Sequence, residues 1–376
     1  MPLYFQDIIM EKIKKFLKNE PVLIVSFVLA VISAFIVKPS AEYLGYIDFR
    51  TLALLFCLMA VMAGLGSLGV FRVLAQKLLK GVGSVRALSL VLCLLCFFSA
   101  MLITNDVALI TFVPFTAEAL RISGKKEKLI PIVVLETVAA NLGSMLTPIG
   151  NPQNLYLFSA FEMSMGDFVS AVLPYTVLSL ILVIAFALFT GNEKAESASV
   201  ADEKISAGKA AVYAVLFAIS LLTVLEVIPY PITLAVTVAA VLISDRKTIL
   251  KIDYSLLLTF VFLFVFIGNL GNIAPVSEFL KKIVVGNEVI AGIAASQVFS
   301  NVPAALLLSG FTDNAKALLV GVNLGGLGTL IASMASLISF KLAVKENIKA
   351  GRYLLYFTVV NIVFLAANII LWIIIK

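Results

Sequence analysis

The chain has 376 residues, of which 61% are hydrophobic and 13% charged, and its mean hydropathy is +1.10. No soluble core needs that much apolar material; continuous apolar runs of about 20 residues read as helices that cross a bilayer. The net charge of +6 does not point to nucleic acid, because Lys and Arg sit at the ends of apolar runs, where they orient spans. Histidine is missing altogether, which removes the usual metal ligand and proton shuttle and leaves carboxylates for proton work.

Residues 1–20 come first. Phe5, Ile8, Ile9, Ile13, Phe16 and Leu17 alternate there with Lys12, Lys14, Lys15 and Lys18, a pattern of either an interfacial amphipathic helix or a basic tail. A cleavable signal peptide is not expected, since no short apolar core precedes a small-residue cleavage site. The first membrane half covers 21–190. Spans are predicted at 21–37 and 51–70, the second ending in glycines that allow close helix contact, and a short basic helix at 71–80. Apolar segments 85–103 and 107–120 both carry basic residues at their outer ends and meet at Thr104-Asn105-Asp106. That arrangement predicts a re-entrant hairpin over 85–121, tolerated only inside protein or against a cavity. The stretch 129–161 is too long for one ordinary span and is predicted to break within 141–154. A further span, 168–190, leads to a polar linker at 191–208.

The second half, 209–376, repeats the plan. Spans are predicted at 210–228, 232–244 and 255–271, then a hairpin over 288–311, a broken helix over 315–340 and a last span at 354–375. Cys57, Cys93 and Cys96 lie within apolar runs and read as packing residues, although Cys93 and Cys96 are also spaced as a soft-metal pair. Glu118, three residues before Arg121, is placed for an ion pair on one helix.

The halves resemble each other in sequence. Residues 141–158 align without gaps onto 323–340, with seven of 18 positions identical: Asn141/Asn323, Leu142/Leu324, Gly143/Gly325, Thr147/Thr329, Ile149/Ile331, Leu155/Leu337 and Phe158/Phe340. Residues 104–115 likewise match 300–311 at Asn105/Asn301, Ala108/Ala304 and Phe115/Phe311. Paired interruptions in corresponding places of two hydrophobic halves point to a transporter binding site. With a cytoplasmic N-terminus and one hairpin per half, 22 of the 28 Lys and Arg residues fall inside, and only Lys38, Arg50, Lys281, Lys282, Lys316 and Lys376 fall outside. The second repeat is then inverted relative to the first, and the C-terminus lies outside. The expected fold is an all-α polytopic membrane protein of two inverted-topology repeats, each with a re-entrant hairpin and a broken helix.

Hairpin tips and helix breaks expose backbone groups without intrahelical partners. Helix N-termini favour anions, while free carbonyls and side-chain oxygens favour hard cations such as sodium. Thr104, Asn105, Ser300 and Asn301 supply such oxygens at the tips, and Gly143, Gly150 and Gly325 let backbone approach a ligand. Asp106 is an intramembrane carboxylate and a functional candidate by default. It could carry a proton, bind sodium, favour a neutral or cationic substrate, or cap the helix that follows it. Glu136, about two turns into its span, either joins a proton path or pairs with a neighbouring helix. No phosphate-binding P-loop is present, and no nucleophile–base set supports an intramembrane enzyme.

Thr104-Asn105-Asp106 and Ser300-Asn301-Val302 resemble the paired Ser-Asn-Thr hairpin motifs of the divalent anion:sodium symporters. Thr147-Pro-Ile-Gly150-Asn-Pro-Gln-Asn154 resembles their Gly-Thr-x-Ile-Gly-Thr-Pro-Pro-Asn break. The wider group is the ion transporter superfamily, which also holds citrate transporters, arsenite-efflux permeases and sodium/proton antiporters. The run Thr-Asn-Asp-Val-Ala-Leu-Ile-Thr-Phe-Val-Pro is most similar to its YbiR-type bacterial anion transporters. The resemblance implies a cell-membrane carrier of a bacterium or archaeon, often a homodimer, that couples Na+ or H+ to movement of a small anion by an elevator-like motion. No covalent cofactor and no nucleic-acid partner is implied. It further implies cation sites at Thr104, Asn105, Gly143 and Gly150 and at Ser300, Asn301, Gly325 and Thr329. Substrate contacts would come from Asn105, Asp106, Asn154, Asn301, Val302 and Pro303, with Asp106 and Glu136 as proton carriers. Metalloid efflux and sodium/proton exchange are the alternatives. Asp106 and Val302 both stand where the motif has Thr.

Overall fold

The computed structural model describes residues 20–79, 82–194 and 205–376. The amphipathic segment expected before residue 20 and most of the polar linker lie outside the described residues. Among the described residues the elements are helical, apart from one isolated bridge between Ser84 and Lys194. In order they are α1 Pro21–Ile36, α2 Glu42–Tyr46, α3 Phe49–Ser67, α4 Val70–Leu79, α5 Val85–Ile103 and α6 Asn105–Ile122. Then come α7 Leu129–Ser144, α8 Pro152–Ala160, α9 Met165–Leu188, α10 Ala207–Val224, α11 Tyr230–Ser244 and α12 Tyr254–Gly271. The chain finishes with α13 Ala274–Val284, α14 Glu288–Phe299, α15 Asn301–Ser309, α16 Ala315–Leu324, α17 Met334–Lys345 and α18 Ala350–Ile375.

Helix starts follow the local chemistry. Asp48, Ser84, Ser164 and Asp253 each accept a backbone N–H from the first turn of α3, α5, α9 and α12, which satisfies a donor the helix itself leaves open. Pro21 and Pro152 occupy first-turn positions of α1 and α8, where their missing N–H costs nothing. Among the described residues six helices are long and apolar enough to cross a membrane: α3, α5, α9, α10, α12 and α18. A seventh is added if α13 and α14, bent by 113°, count as one. The protein is therefore a multi-pass membrane protein. Helix α13 was not expected from sequence, because Glu278, Lys281 and Lys282 dilute its hydropathy below that of a span. Its mixed polarity is that of a helix lying along an interface.

A central body forms where α5, α6, α7 and α9 pack together with α14 to α18. Helix α17 lies on α6 and α7, α8 lies on α15, and α16 lies on α9, so the halves interlock. Against this body sits a flanking layer in which α1 pairs with α12, and α3 with α10 and α11. The tightest seam is between α5 and α7. A Cβ at Gly143 would lie 2.1 Å from the Phe97 carbonyl oxygen, so only glycine lets the backbones touch. The matching half behaves alike: a Cβ at Gly325 would lie 2.4 Å from Ser296 Oγ, and one at Gly321 would lie 2.7 Å from the Val289 carbonyl oxygen.

Contacts read from sequence take these forms. Arg121 Nη2 lies 2.6 Å from Glu118 Oε2, as the spacing predicts. Cys57, Cys93 and Cys96 are free and buried, and among the described residues no group of three or more Cys, Asp or Glu side chains is placed to hold a metal ion. At the close of the first half, Lys128 Nζ bridges to Glu193 at 2.9 Å and donates to the Thr190 carbonyl at 2.9 Å. Val85 N–H donates to the Glu193 carbonyl at 2.9 Å, so this segment ties down the base of α5.

Two glycine substitutions separate packing from propensity. Gly143→Ala should cost about 1–3 kcal/mol through overpacking and lower the melting temperature of the detergent-purified protein. Gly66→Ala, where nothing lies within 4 Å of the new Cβ, should be neutral or stabilising by up to about 1 kcal/mol. Equal effects at both sites would contradict the α5–α7 seam.

Candidate functional site

Two helix pairs turn through the same unusual residue. Between α5 and α6, Thr104 has φ 71° and ψ 152°; between α14 and α15, Ser300 has φ 75° and ψ 155°. Side chains rarely adopt this region, at a cost of roughly 1–3 kcal/mol. Its twofold occurrence at matched positions therefore marks a backbone shape held by its surroundings. Each turn aims the next asparagine inward: Asn105 and Asn301 are 4% and 5% exposed.

The breaks in the two long helices receive these turns. The first break runs from Ser144 to Pro152 and the second from Leu324 to Met334. Asn105 N–H donates to the Gly150 carbonyl at 3.2 Å, and Ser300 Oγ approaches the Ala332 carbonyl at 3.5 Å. Gly150 and Ala332 are partners in the repeat alignment. Asn105 Nδ2 also donates to Asn141 Oδ1 at 3.0 Å, while a Cβ at Gly326 would lie 3.0 Å from Asn301 Nδ2.

Across the centre the halves exchange hydrogen bonds reciprocally. Asn141 Oδ1 accepts from Ser333 Oγ at 3.1 Å, and Asn141 Nδ2 donates to Ser336 Oγ at 3.3 Å. In the other direction Asn323 Oδ1 accepts from Asn151 Nδ2 at 3.1 Å, and Asn323 Nδ2 donates to Asn154 Oδ1 at 2.7 Å. Asn141 matches Asn323, Asn151 matches Ser333, and Asn154 matches Ser336 in the repeat alignment. Each half thus reaches from the end of its first half-helix to the start of the other's second.

The two turns converge on a cavity of about 50 Å³. Of the residues expected to bind ligand, it is lined by Asn105, Asp106, Ser300, Asn301, Val302 and Pro303. It adjoins a larger cavity of about 870 Å³ between the central body and the flanking layer, lined by Thr104 and Asp106 on one side and by α3 on the other. Asp106 makes no capping bond: its Oδ1 is buried without a partner, and the Asp106 N–H goes to Asn105 Oδ1 at 3.0 Å.

Other expected residues are placed differently. Gly143, Gly150 and Gly325 line neither cavity; they are points of close backbone approach. Asn154 is fully buried, and its Nδ2 donates to the carbonyls of Ser144, Met145 and Thr147, so it holds the first break in shape. Thr329 is exposed, and its N–H donates to Gln297 Oε1 at 2.9 Å. Glu136 lies inside the central body, 0% exposed, where its Oε1 accepts from Thr116 Oγ1 at 2.5 Å and its Oε2 has no partner.

Sequence reasoning missed Gln297, which braces the second break by donating to the Gly325 and Leu327 carbonyls at 2.9 Å each. It also missed Glu20 and Asp253, which line the small cavity from the flanking layer. Asn141 and Asn323 were visible as repeat identities, and their shared position at the head of both breaks was the available signal. Asn323→Ala removes one of two partners of Asn151 Nδ2, which keeps Ser144 Oγ, and orphans the buried Asn154 Oδ1 at a cost of roughly 1–3 kcal/mol, besides opening a small cavity. It should therefore destabilise the purified protein by about 2 kcal/mol or more, while Ser333→Ala costs about 1 kcal/mol. Thermal unfolding of the two variants checks the order, and a wild-type melting temperature for Asn323→Ala would contradict the exchange.

The chain matches the citrate transporter family profile, CitMHS, over residues 8–317. It is 33% identical over 317 residues to the uncharacterized transporter MJ0456 of Methanocaldococcus jannaschii, covering 84% of this chain and 86% of the relative. It is 30% identical over 313 residues to the inner membrane protein YbiR of Escherichia coli, covering 79% of this chain and 80% of the relative. A shorter match, 28% over 163 residues, covers 43% of this chain and 33% of the silicon efflux transporter LSI3 of Oryza sativa subsp. japonica. Multi-pass and built around two matched helix breaks, the chain belongs to the citrate transporter family, CitMHS, as a membrane transporter.

Proposed function

We propose that the protein is a cation-coupled secondary transporter of a small anion, built from two inverted-topology repeats and working by alternating access of an elevator type. The observation that carries this reading is the convergence of four helix starts on one cavity. Asn105 at the head of α6, Pro152 of α8, Asn301 of α15 and Met334 of α17 all line the 50 Å³ space. Each helix start carries up to about half a positive charge, less at α6 and α8, where the N–H groups of Asn105, Asp106 and Asn154 already go to the Gly150 carbonyl, Asn105 Oδ1 and Asn151 Oδ1; together the four starts favour a small anion.

The reciprocal bonds between matched asparagines and serines are those expected of two repeats related by a local twofold axis, which supports inversion. Under the topology with a cytoplasmic N-terminus, Arg72, Lys251 and Lys341 on the 870 Å³ cavity make it the inner vestibule. A second cavity of about 510 Å³, lined by Arg50, Tyr156 and Glu162, is then the outer one. Movement of the central body along the flanking layer would present the tips to one vestibule and then the other. Side-chain oxygens of Thr104, Asn105, Ser300 and Asn301, with carbonyls of the breaks near Gly143, Gly150, Gly325 and Thr329, are the candidate hard-cation ligands.

A second reading, proton-coupled efflux of a neutral hydroxylated acid, is favoured by the unpartnered Asp106 Oδ1 at the cavity and the unpartnered Glu136 Oε2 in the central body. LSI3, a relative over part of the chain, is named a silicon efflux transporter.

Melting temperature in sodium against choline, at two pH values, separates the two. Saturable stabilisation by sodium that is lost in Asn105→Ala supports sodium coupling. Stability indifferent to sodium but altered in its pH response by Asp106→Asn supports the proton. In proteoliposomes, Asn105→Ala and Asn301→Ala should each abolish gradient-driven transport while the purified proteins stay folded. Wild-type rates in both variants would remove the tips from the site.

A further inference from the structure

The three cavities are not equally connected. The tip cavity and the cavity of about 870 Å³ share lining residues, among them Asp106, Pro152, Leu256 and Met334. Arg72, Lys251 and Lys341, at the margin of the larger one, are exposed. The cavity of about 510 Å³ shares no lining residue with either among the described residues. The tips are therefore open towards one side of the protein and walled off from the other.

The wall is thin. On α8, Leu155 lines the 870 Å³ cavity and the next residue, Tyr156, lines the 510 Å³ one. On α12, Leu256 and Thr259 line the tip cavity and Phe264 lines the 510 Å³ one, with the fully buried Phe260 between them. Tyr156 fills this interval. Its ring lies 5.6 Å from that of Phe264 and 6.3 Å, edge-on, from that of Phe260, centroid to centroid, and the residue is 8% exposed. Beside it α15 closes on α12, where a Cβ at Gly310 would lie 3.0 Å from Ile267 Cγ2.

The way Tyr156 is held suits a contact that has to open. Its hydroxyl shares a hydrogen bond with Ser309 Oγ at 2.8 Å, and Ser309 ends α15, the helix on which α8 lies. The polar end of the side chain is thus satisfied within the body that carries the tips. What crosses to the flanking layer is ring against ring. Parting the rings strips Tyr156 of no hydrogen bond, so the contact is released without the penalty of an orphaned buried group.

Resting on the transport reading above, we infer that Tyr156 is the outer seal of the carrier: its ring, wedged against Phe260 and Phe264, closes the tip site to the outside while the inner vestibule is open. It governs access to the site and makes no contact with the ligand.

The test reads which face of the membrane reaches the tips. Met334 lines both the tip cavity and the 870 Å³ cavity, so Met334→Cys in the full chain is the reporter; Cys57, Cys93 and Cys96 are buried. A membrane-impermeant maleimide is applied to intact cells and to inside-out vesicles, and initial labelling rates are compared. With Tyr156 in place the reporter should react faster from the inner face. Tyr156→Ala and Phe264→Leu should each raise the outside rate, by roughly tenfold for the loss of one aromatic contact. Phe264→Leu keeps an apolar side chain should Tyr156→Ala fail to fold. Tyr156→Phe, which keeps the ring, should label like the reporter alone. A merely structural tyrosine would lower the melting temperature without changing sidedness, so outside rates that stay unchanged in folded variants overturn the seal. A rise in Tyr156→Phe as large as in Tyr156→Ala overturns it too. If the faces are exchanged, with the reporter labelled faster from outside and the inner rate raised by Tyr156→Ala, the aromatic seal stands and the orientation used in the transport reading falls. A labelling ratio that no sodium or proton gradient alters in the reporter protein removes the moving carrier and leaves the seal standing on its variants.

Discussion

Backbone that leaves a helix inside a bilayer must find its hydrogen-bond partners within the protein, because lipid offers none. Everything distinctive in this molecule follows from meeting that demand twice. Two long helices stop, at Ser144 and at Leu324, and carbonyls that a helix would satisfy are taken up by amides. Asn154 serves three of them in the first break, and Gln297 serves two in the second. Buried polar groups carry a high penalty when unpaired and a modest gain when paired. The network therefore acts as a specification: it permits one relative placement of the breaks and penalises others. The cavity is the space left where that placement brings two turns and two half-helix starts together.

Much of this was legible in sequence because the features repeat. Thr104-Asn105 and Ser300-Asn301 carry weight as a pair that neither has alone, and the structure gives both turns the same positive φ. The spans expected at 51–70, 168–190, 210–228, 255–271 and 354–375 return as helices long and apolar enough to cross a membrane, whereas those at 21–37 and 232–244 return as shorter apolar helices, and α5, expected as a hairpin arm, is itself long enough. The partners of each break were not legible. Asn141 bonds to Ser333 and Ser336, nearly 200 positions away, and no local pattern encodes such a pairing. Glycine was read by its freedom to turn, whereas Gly143 is needed for the missing Cβ that lets α7 meet the Phe97 backbone. The flanking-layer carboxylates escaped notice for a related reason. Asp253 reads as an ordinary helix cap, which it is, and only the fold brings it beside Asp106.

The site also holds an internal tension. Helix starts and the carboxylates of Glu20, Asp106 and Asp253 meet at the tips, and Arg72, Lys251 and Lys341 line the adjoining cavity with them, so charges of both signs set the local field. Leu55, Leu58 and Met59 of α3 supply apolar wall to the adjoining cavity, while Asp253 at its edge stays exposed to solvent.

The reciprocal bonds between the halves bear on how the protein is made. Asn141 waits for Ser333 and Ser336, and Asn151 and Asn154 wait for Asn323, which emerges from the ribosome long after them. During synthesis the amino-terminal half therefore enters the bilayer with Asn105–Asn141, Asn151–Ser144 and the three Asn154 bonds able to form within itself, and with only the cross-half partners missing. The cross-half bonds can form only once residues 323–336 have been made, so a chain truncated before residue 323 would leave those four bonds unmade.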